Sequence, residues 1–297
     1  MEVVISAVIV NYNAGRFLKG CVDSLLESPL KIEVIVVDNG SSDGSLDTLD
    51  RDDNLMVISN GQNLGFSAGC NVGLKAASSG CIFFVNPDCS FSPGTIERLL
   101  NYLQSNERIG MVGGLLVNPD GTEQRGGRRT MPTPWSAFVR VIGLTRFSAI
   151  SPKSFKNFDL HKQPLPKNPI EVEAISGACM LVKREALEDV GLWDEGYFLH
   201  CEDLDYCMRF NKKGWGIGFV PDASIMHEHG ACSRTRPIFV EWHKHKGMMR
   251  FYWKFFWLQY PRVLIVFFAF GVWMHFGLVA AYHIAKRVAK SLGFGHN

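Results

Sequence analysis

The sequence predicts an α/β fold: a mostly parallel sheet flanked by helices, followed by an amphipathic and hydrophobic helical tail. Three observations carry this expectation. Short β-branched runs alternate with helix-periodic segments over the first 120 residues. Those runs are predominantly apolar and β-branched, as strands buried on both faces are. Near residue 238 the composition changes, and aromatic and basic residues lead into a long apolar stretch.

Residues 3–10 form the first such run. Asn13 is positioned to cap the helix that follows, in which Phe17, Leu18, Cys21, Val22, Leu25 and Leu26 recur at helical spacing. Residues 32–37, ending at Asp38, and residues 55–59 read as the next two strands. Residues 66–77 read as a helix, 81–85 as a strand, and 95–104 as a helix started by Pro93. Residues 121–169, rich in Arg, Gly, Pro, Ser and Lys, read as a long, partly mobile excursion over the site. A strand-like run at 171–183, helices at 184–190 and 203–213, and a short strand at 216–220 complete this part.

With 297 residues the chain suffices for one large domain and a tail, and 46% hydrophobic against 20% charged residues excludes global disorder. Cys21, Cys70, Cys81, Cys89, Cys179, Cys201, Cys207 and Cys232 include no CxxC pair, and most sit in apolar runs. They read as free thiols in a reducing compartment. The start MEVVISAVIVNYN lacks the features of a signal peptide, so the catalytic part is expected in the cytoplasm.

In the tail, Trp242-His243-Lys244-His245-Lys246 precedes residues 248–257, where aromatics alternate with Arg250 and Lys254, as an interfacial helix requires. Residues 263–284 contain no Asp, Glu, Lys or Arg, and a membrane-spanning helix needs about 20 residues. Basic residues flank both ends (Arg262; Lys286, Arg287 and Lys290), so no orientation follows. The tail is expected to associate with membrane lipid, spanning the bilayer or lying in one leaflet. The alternatives are a buried hairpin or a homo-oligomer interface.

Ligands of such sheets bind beyond the carboxyl ends of the strands. Asn11-Tyr12-Asn13, Asp38-Asn39-Gly40 and Asn86-Pro87-Asp88 fall there. Asp38 could accept from the imide N–H of a pyrimidine base or satisfy its own turn. Asp88 could hold a divalent cation that bridges a diphosphate, or belong to a simple Asn-Pro-Asp turn. The Gly-rich stretch from Asn63 to Asn71 opens a helix and suits either an anion or close packing. Glu202-Asp203-Leu204-Asp205 could supply a general base or only favour a helix start. In His227-Glu228-His229, His227 is a metal-ligand candidate or a structural histidine.

These motifs occur in the order IVNYN, VVDNGSSDGS, NLGFSAGCNVG, FVNPD, ISGACMLVKREAL, GLWDEGYFLHCEDLDYCMR and PDASIMH. In that order the sequence resembles the family 2 glycosyltransferases, inverting enzymes of the Rossmann-like GT-A type, and within them the rhamnosyltransferase-like branch. The resemblance implies that residues 1–237 are the catalytic domain, with a nucleotide-binding half to about 120 and an acceptor half beyond, and that 238–297 are the membrane tail. It makes Asp203 the catalytic base. Asn11, Asp38, Asn63, Asn86 and Asp88 become nucleotide-sugar contacts, and Asp88 and His227 become ligands of Mg2+ or Mn2+. Asn86 takes the place of the first acid of the family's Asp-x-Asp motif. Trp193, Glu202, Arg125, Arg128 and Arg129 are the candidate acceptor or phosphate contacts.

The implied reaction moves a sugar, L-rhamnose from dTDP-rhamnose before a UDP-hexose, to a hydroxyl of a glycan or polyprenol-diphosphate-linked acceptor. The setting would be cell-surface polysaccharide biosynthesis at the cytoplasmic face of the inner or plasma membrane. No nucleic-acid partner is expected. A nucleotidyltransferase would need a basic, Gly-rich triphosphate loop after the first strand, where Asn11-Tyr12-Asn13-Ala14 stands. A glycosidase would need two placed carboxylates and leave the sheet-edge residues idle. A catalytically weak nucleotide-sugar sensor or membrane scaffold would be expected to have lost Asp88 or Asp203, and both are present.

Overall fold

The structure, a computed structural model, describes residues 4–141, 160–228 and 236–291. His229, Cys232 and part of the 121–169 excursion lie outside the described residues. Two units are described separately: residues 4–131, 160–198 and 202–228 form the first, and 132–141, 199–201 and 236–291 the second.

In the first unit β1 (Ile5–Asn11) lies between two parallel partners, β2 (Ile32–Asp38) and β4 (Cys81–Val85), and β3 (Leu55–Ser59) extends the sheet beyond β2. The register sets Asn11 opposite Asp38 and Asp38 opposite Ser59, so the polar strand ends align. On the other side of β4 lies β10 (Cys179–Lys183), which runs antiparallel to both β4 and β6 (Ile109–Val117). Next to β6 comes β11 (Gly216–His227), parallel to it, and then β5 (Cys89–Phe91), antiparallel to β11. A two-residue strand, β8 (Ile170–Glu171), also pairs with β11, while β7 (Arg128–Arg129) and β9 (Ala174–Ile175) form a separate small sheet.

Helices cover both faces. Along β1 the side chains alternate: Ile5, Ala7 and Ile9 face a core completed by α1 (Arg16–Leu26) and α3 (Thr95–Ser105). Val8 and Val10 face a second core with α2 (Phe66–Ala76), α5 (Arg184–Val190) and α6 (Glu202–Lys213). This is the period of two expected of a strand buried on both sides.

Four local differences from the sequence reading have identifiable causes. The run 171–183 is not one strand: it divides into β8, β9 and β10 around the turn Ser176-Gly177-Ala178. β10 runs antiparallel to both β4 and β6, so the parallel pairing of β1–β4 does not extend to it. Strand β6 escaped prediction because Gly110, Gly113 and Gly114 dilute its β-branched character. Those glycines answer to crowding: a Cβ on Gly114 would lie 2.2 Å from the Ala223 carbonyl oxygen. The expected 216–220 strand continues to His227 through an irregularity between Val220 and Ser224, where Pro221 leaves the ladder. Finally, Asn13 does not cap α1. It adopts φ 54° and accepts from Ser42 N–H at 2.8 Å, while Gly15 is the N-cap and donates to Asp43 Oδ2 at 2.7 Å.

The second unit holds α4 (Pro134–Val141), α7 (Pro237–Phe256) and α8 (Arg262–Ser291). α7 and α8 pack as a hairpin through Trp242 on Trp273 (5.1 Å), Tyr252 on Phe268 (4.6 Å) and a 3.0 Å contact of His245 Nε2 with His275 Nδ1. α8 is long and apolar enough to cross a membrane: its most apolar eighteen residues have a mean hydropathy of 2.3 and only 11% of them are buried.

Gly114→Ala is expected to lower stability by about 3 kcal/mol or more, because the Cβ meets backbone that cannot move aside. Thermal unfolding of the purified variant measures it, and an unchanged midpoint would mean that β6 and β11 are not so closely apposed.

Candidate active site

The expected nucleotide residues meet at the carboxyl edge of β1–β3. Asp38, 4% exposed, accepts from Asn11 Nδ2 at 2.8 Å and from the N–H groups of Gly40 and Ser41 at 3.1 and 3.0 Å. Asn11 Nδ2 also reaches Ser41 and Ser45 Oγ, both at 3.0 Å. Asn39 Nδ2 donates to the Gly65 carbonyl at 3.1 Å and approaches Asn63 Oδ1 at 3.5 Å. Asn11, Asp38 and Asn63 therefore belong to one connected edge. The carboxylate of Asp38 has four lone-pair sites and uses three, which leaves one for a base N–H.

The Gly-rich start of α2 resolves towards packing. Phe66 N–H donates to the Phe198 carbonyl at 2.9 Å, and a Cβ on Gly65 would lie 2.7 Å from that same oxygen. With that amide already engaged, close approach to the chain at Phe198 accounts for the glycine.

Asn86, Asp88 and His227 converge. The β5–β11 register places His227 opposite Cys89, so the imidazole faces the loop after β4. His227 Nε2 lies 3.1 Å from Asp88 Oδ1 and 3.5 Å from Asn86 Nδ2, and Asp88 and His227 are 8% and 6% exposed. Two neighbouring ligands on an octahedral ion at about 2.1 Å would stand about 3 Å apart, so this pair fits Mg2+ or Mn2+. Cys89 Sγ is also close, but burial and then the charge of Asp88 hold its thiol well above the usual range. It donates to the Ala178 carbonyl at 3.4 Å and serves the fold, since only a thiolate is a good ligand.

Asp203 lies on the first turn of α6. Its Oδ2 accepts from Arg129 and, at 3.3 Å, from Gly177 N–H, while Arg129 also donates to the Ile175 carbonyl at 3.0 Å. The loop that holds Asp203 also holds the Asp88 turn: Asn86 N–H donates to the Ala178 carbonyl at 2.9 Å. Asp205 faces elsewhere, fully buried and paired with Arg209 at 2.7 Å. Glu202 Oε2 is withdrawn from solvent with no hydrogen-bond partner. Burial, and then the adjacent Asp203, push its carboxyl up to about 8, so Glu202 holds a proton at neutral pH.

Two expected acceptor contacts are corrected. Trp193 is 2% exposed, stacked on Tyr206 at 4.3 Å and edge-on to Phe84 and Phe66; it is a core residue. Arg128 is 2% exposed, grips Glu123 through two bonds of 2.7 and 3.1 Å and donates to the Gln163 carbonyl at 2.9 Å. A guanidinium so engaged holds the excursion together and offers no surface to a phosphate. Arg125 is exposed, and Arg129 stands on Asp203. The sequence did not single out Gln124, Gly177 or Ala178. ISGACML marked the last two only as part of a motif, and nothing marked Gln124 beyond its place before Arg125.

The sheet order and helical layers are those of a GT-A type glycosyltransferase. They match the crystal structure of GalNAc-T7 with UDP, GalNAc and Mn2+ at a TM-score of 0.54, covering 76% of this chain and 44% of that one at 16% identity, a likeness of fold alone. The profile described as Glycosyl transferase family 2 matches residues 6–191, and that of Glycosyl transferase family group 2 matches residues 153–288. The N-acetylglucosaminyl-diphospho-decaprenol L-rhamnosyltransferase of Mycobacterium tuberculosis is 30% identical over 249 residues, 80% of this chain and 79% of that protein. The low-salt glycan biosynthesis hexosyltransferase Agl10 of Haloferax volcanii is 25% identical over 227 residues, 75% of this chain and 66% of that protein. The chain belongs to glycosyl transferase family 2 and is a glycosyltransferase of its rhamnosyltransferase-like branch.

Because the folded-state pKa of Glu202 is raised from 4.5 to about 8, its stabilising share is complete below 4.5 and is lost as pH rises through 8. Glu202→Gln should unfold at the same temperature as the wild type near pH 4.5 and at a progressively higher one up to pH 8.5. Parallel melting curves across this range would refute the buried proton.

Proposed function

We propose that this glycosyltransferase moves L-rhamnose from dTDP-rhamnose to a hydroxyl of a polyprenol-diphosphate-linked glycan, with inversion, in the assembly of a cell-surface polysaccharide. The observation that carries the reading is the 30% identity, over four-fifths of both chains, to an enzyme named for L-rhamnosyl transfer to N-acetylglucosaminyl-diphospho-decaprenol. The exposed apolar length of α8 supports an acceptor anchored in lipid and a place at the cytoplasmic face of the membrane.

Asp38 accepts from the base through its remaining lone pair, while Asn11 and the turn amides fix the carboxylate. Asn63 supports this edge through Asn39. Asp88 and His227, with Asn86 beside them, hold Mg2+ or Mn2+. When bound, that ion offsets the negative charge that develops on the leaving diphosphate. Asp203, oriented by Arg129 and Gly177 N–H, takes the proton of the attacking hydroxyl. Glu202, already protonated, is no competing base and can donate to the acceptor. Arg125 and Arg129 suit a phosphate of donor or acceptor.

Release of nucleoside diphosphate from dTDP- and UDP-sugars, by detergent-solubilised enzyme with Mg2+ or Mn2+ and a lipid-extract acceptor, tests this reading. One donor should respond, only with metal, and Asp203→Asn should reduce its turnover by about 100-fold or more. Undiminished release in Asp203→Asn would remove Asp203 from the role of base, and preference for a UDP-hexose would overturn the rhamnosyl assignment.

A further inference from the structure

The chain leaves β6 at Val117 and turns back through a tight loop, with Gly121 N–H donating to the Asn118 carbonyl at 2.8 Å and Asn118 N–H to the Thr122 carbonyl at 2.9 Å. Its side chains form a directed series of hydrogen bonds. Thr122 donates to Asp120 Oδ1 at 2.6 Å and accepts from Asn118 Nδ2 at 3.0 Å. Asn118 Oδ1 then accepts from Gln124 Nε2 at 3.1 Å, and Gln124 Oε1 faces His227 Nδ1 at 2.6 Å. Both ends of the series have only one polarity. Asp120 is a carboxylate that can only accept, held below the usual range by its Thr122 side-chain and backbone hydrogen bonds. Gln124 Nε2 also donates to the backbone carbonyl of His227 at 3.3 Å, a group that cannot donate. The amide of Gln124 therefore cannot be turned round, and its oxygen is what His227 Nδ1 meets. In the neutral ring Nδ1 then carries the proton, and the Nε2 lone pair points at Asp88.

We propose that Gln124 is a positioning residue that sets the tautomer and ring angle of His227, and that the loop Asn118–Gln124 exists in this form to hold Gln124. The proposal rests on the reading of Asp88 and His227 as the cation site. Burial supports it: Gln124 is 4% exposed, and its own N–H is committed to the Leu116 carbonyl at 2.8 Å, so neither end of the residue is free to drift. A ligand histidine whose second nitrogen lacks a fixed acceptor binds less tightly, by about 10- to 100-fold in comparable sites.

The test uses the full-length, detergent-solubilised protein and Mn2+ alone as the probe, with bound ion counted by loss of the free Mn2+ EPR signal. Gln124→Leu should weaken Mn2+ binding by about 10- to 100-fold, and Gln124→Glu, which keeps an acceptor for Nδ1–H, should recover most of it. Asn118→Ala lies one step back on the partly exposed loop. It leaves the Gln124 side chain in place, guards against misfolding of the first variant, and should give an intermediate loss. Nitrogen-15 NMR of histidine-labelled protein, with the His227 signal assigned by its absence in His227→Ala, should show a ring protonated at Nδ1 in the wild type and a mixture in Gln124→Leu.

Wild-type Mn2+ affinity in Gln124→Leu alongside a loss in His227→Ala would overturn the positioning role and leave the cation site standing. Unchanged affinity in His227→Ala would remove the cation site and the proposal with it. A His227 ring protonated at Nε2 in the wild-type protein would reject the tautomer assignment whatever the metal data.

Discussion

The site depends on one inverted strand. β1, β2, β3 and β4 run in one direction, and β6 and β11, beyond β10, run the same way. Because β10 is antiparallel to both neighbours, the two parallel sets keep one direction and deliver their carboxyl ends to the edge at which β10 presents its amino end. Asn11, Asp38, the Asn86–Asp88 turn and His227 all arrive there. β10 itself contributes its amino end, and the Ser176-Gly177-Ala178 turn sits among them. One carbonyl of that turn holds the Asp88 loop and one amide holds Asp203. A Cβ on Gly177 would lie 3.2 Å from Asp203 Cβ, so this turn and Asp203 are closely packed.

Charge at the edge is arranged by pairing and by proton retention. Glu202 and Asp203 are adjacent, and ionising both without solvent would cost several kcal/mol. Asp203 is bonded by a guanidinium and the Gly177 amide, whereas at Glu202 burial outweighs its backbone hydrogen bond and the more distant Arg129 and raises its carboxyl. A pair of identical functional groups, next to each other in sequence, thus acquires different chemical characters from what surrounds each.

Much of this was legible in the sequence where one residue type carries one physical meaning. β3 and β4 match their expected bounds because their apolar runs are uninterrupted, and α5 does because Gly191 closes it. The strand-end residues Asn11, Asp38, Asn86 and Asp88 were legible because parallel strands deliver their polar ends together. Signals failed where long-range packing decides. β6 looks too glycine-rich for a central strand until Ala223 is seen against it. Trp193 and Arg128 look like contact residues, and only the tertiary structure reveals that Tyr206 and Glu123 have claimed them. Gln124 and His227 are 103 residues apart, and no local pattern connects them.

The chain between β6 and β10, residues 118–178, both departs from and returns to the catalytic edge, because it is bounded by the end of one strand and the start of its antiparallel neighbour. Closing a loop costs only about 0.6 kcal/mol more for each doubling of its length. Such a segment can be lengthened, shortened or replaced between its anchors without cutting a central strand or shifting a register. Its two ends are tied to the catalytic edge, through Gln124 and Arg129 near the start and the Gly177 turn at the close, so changes in length are tolerated only between those ties.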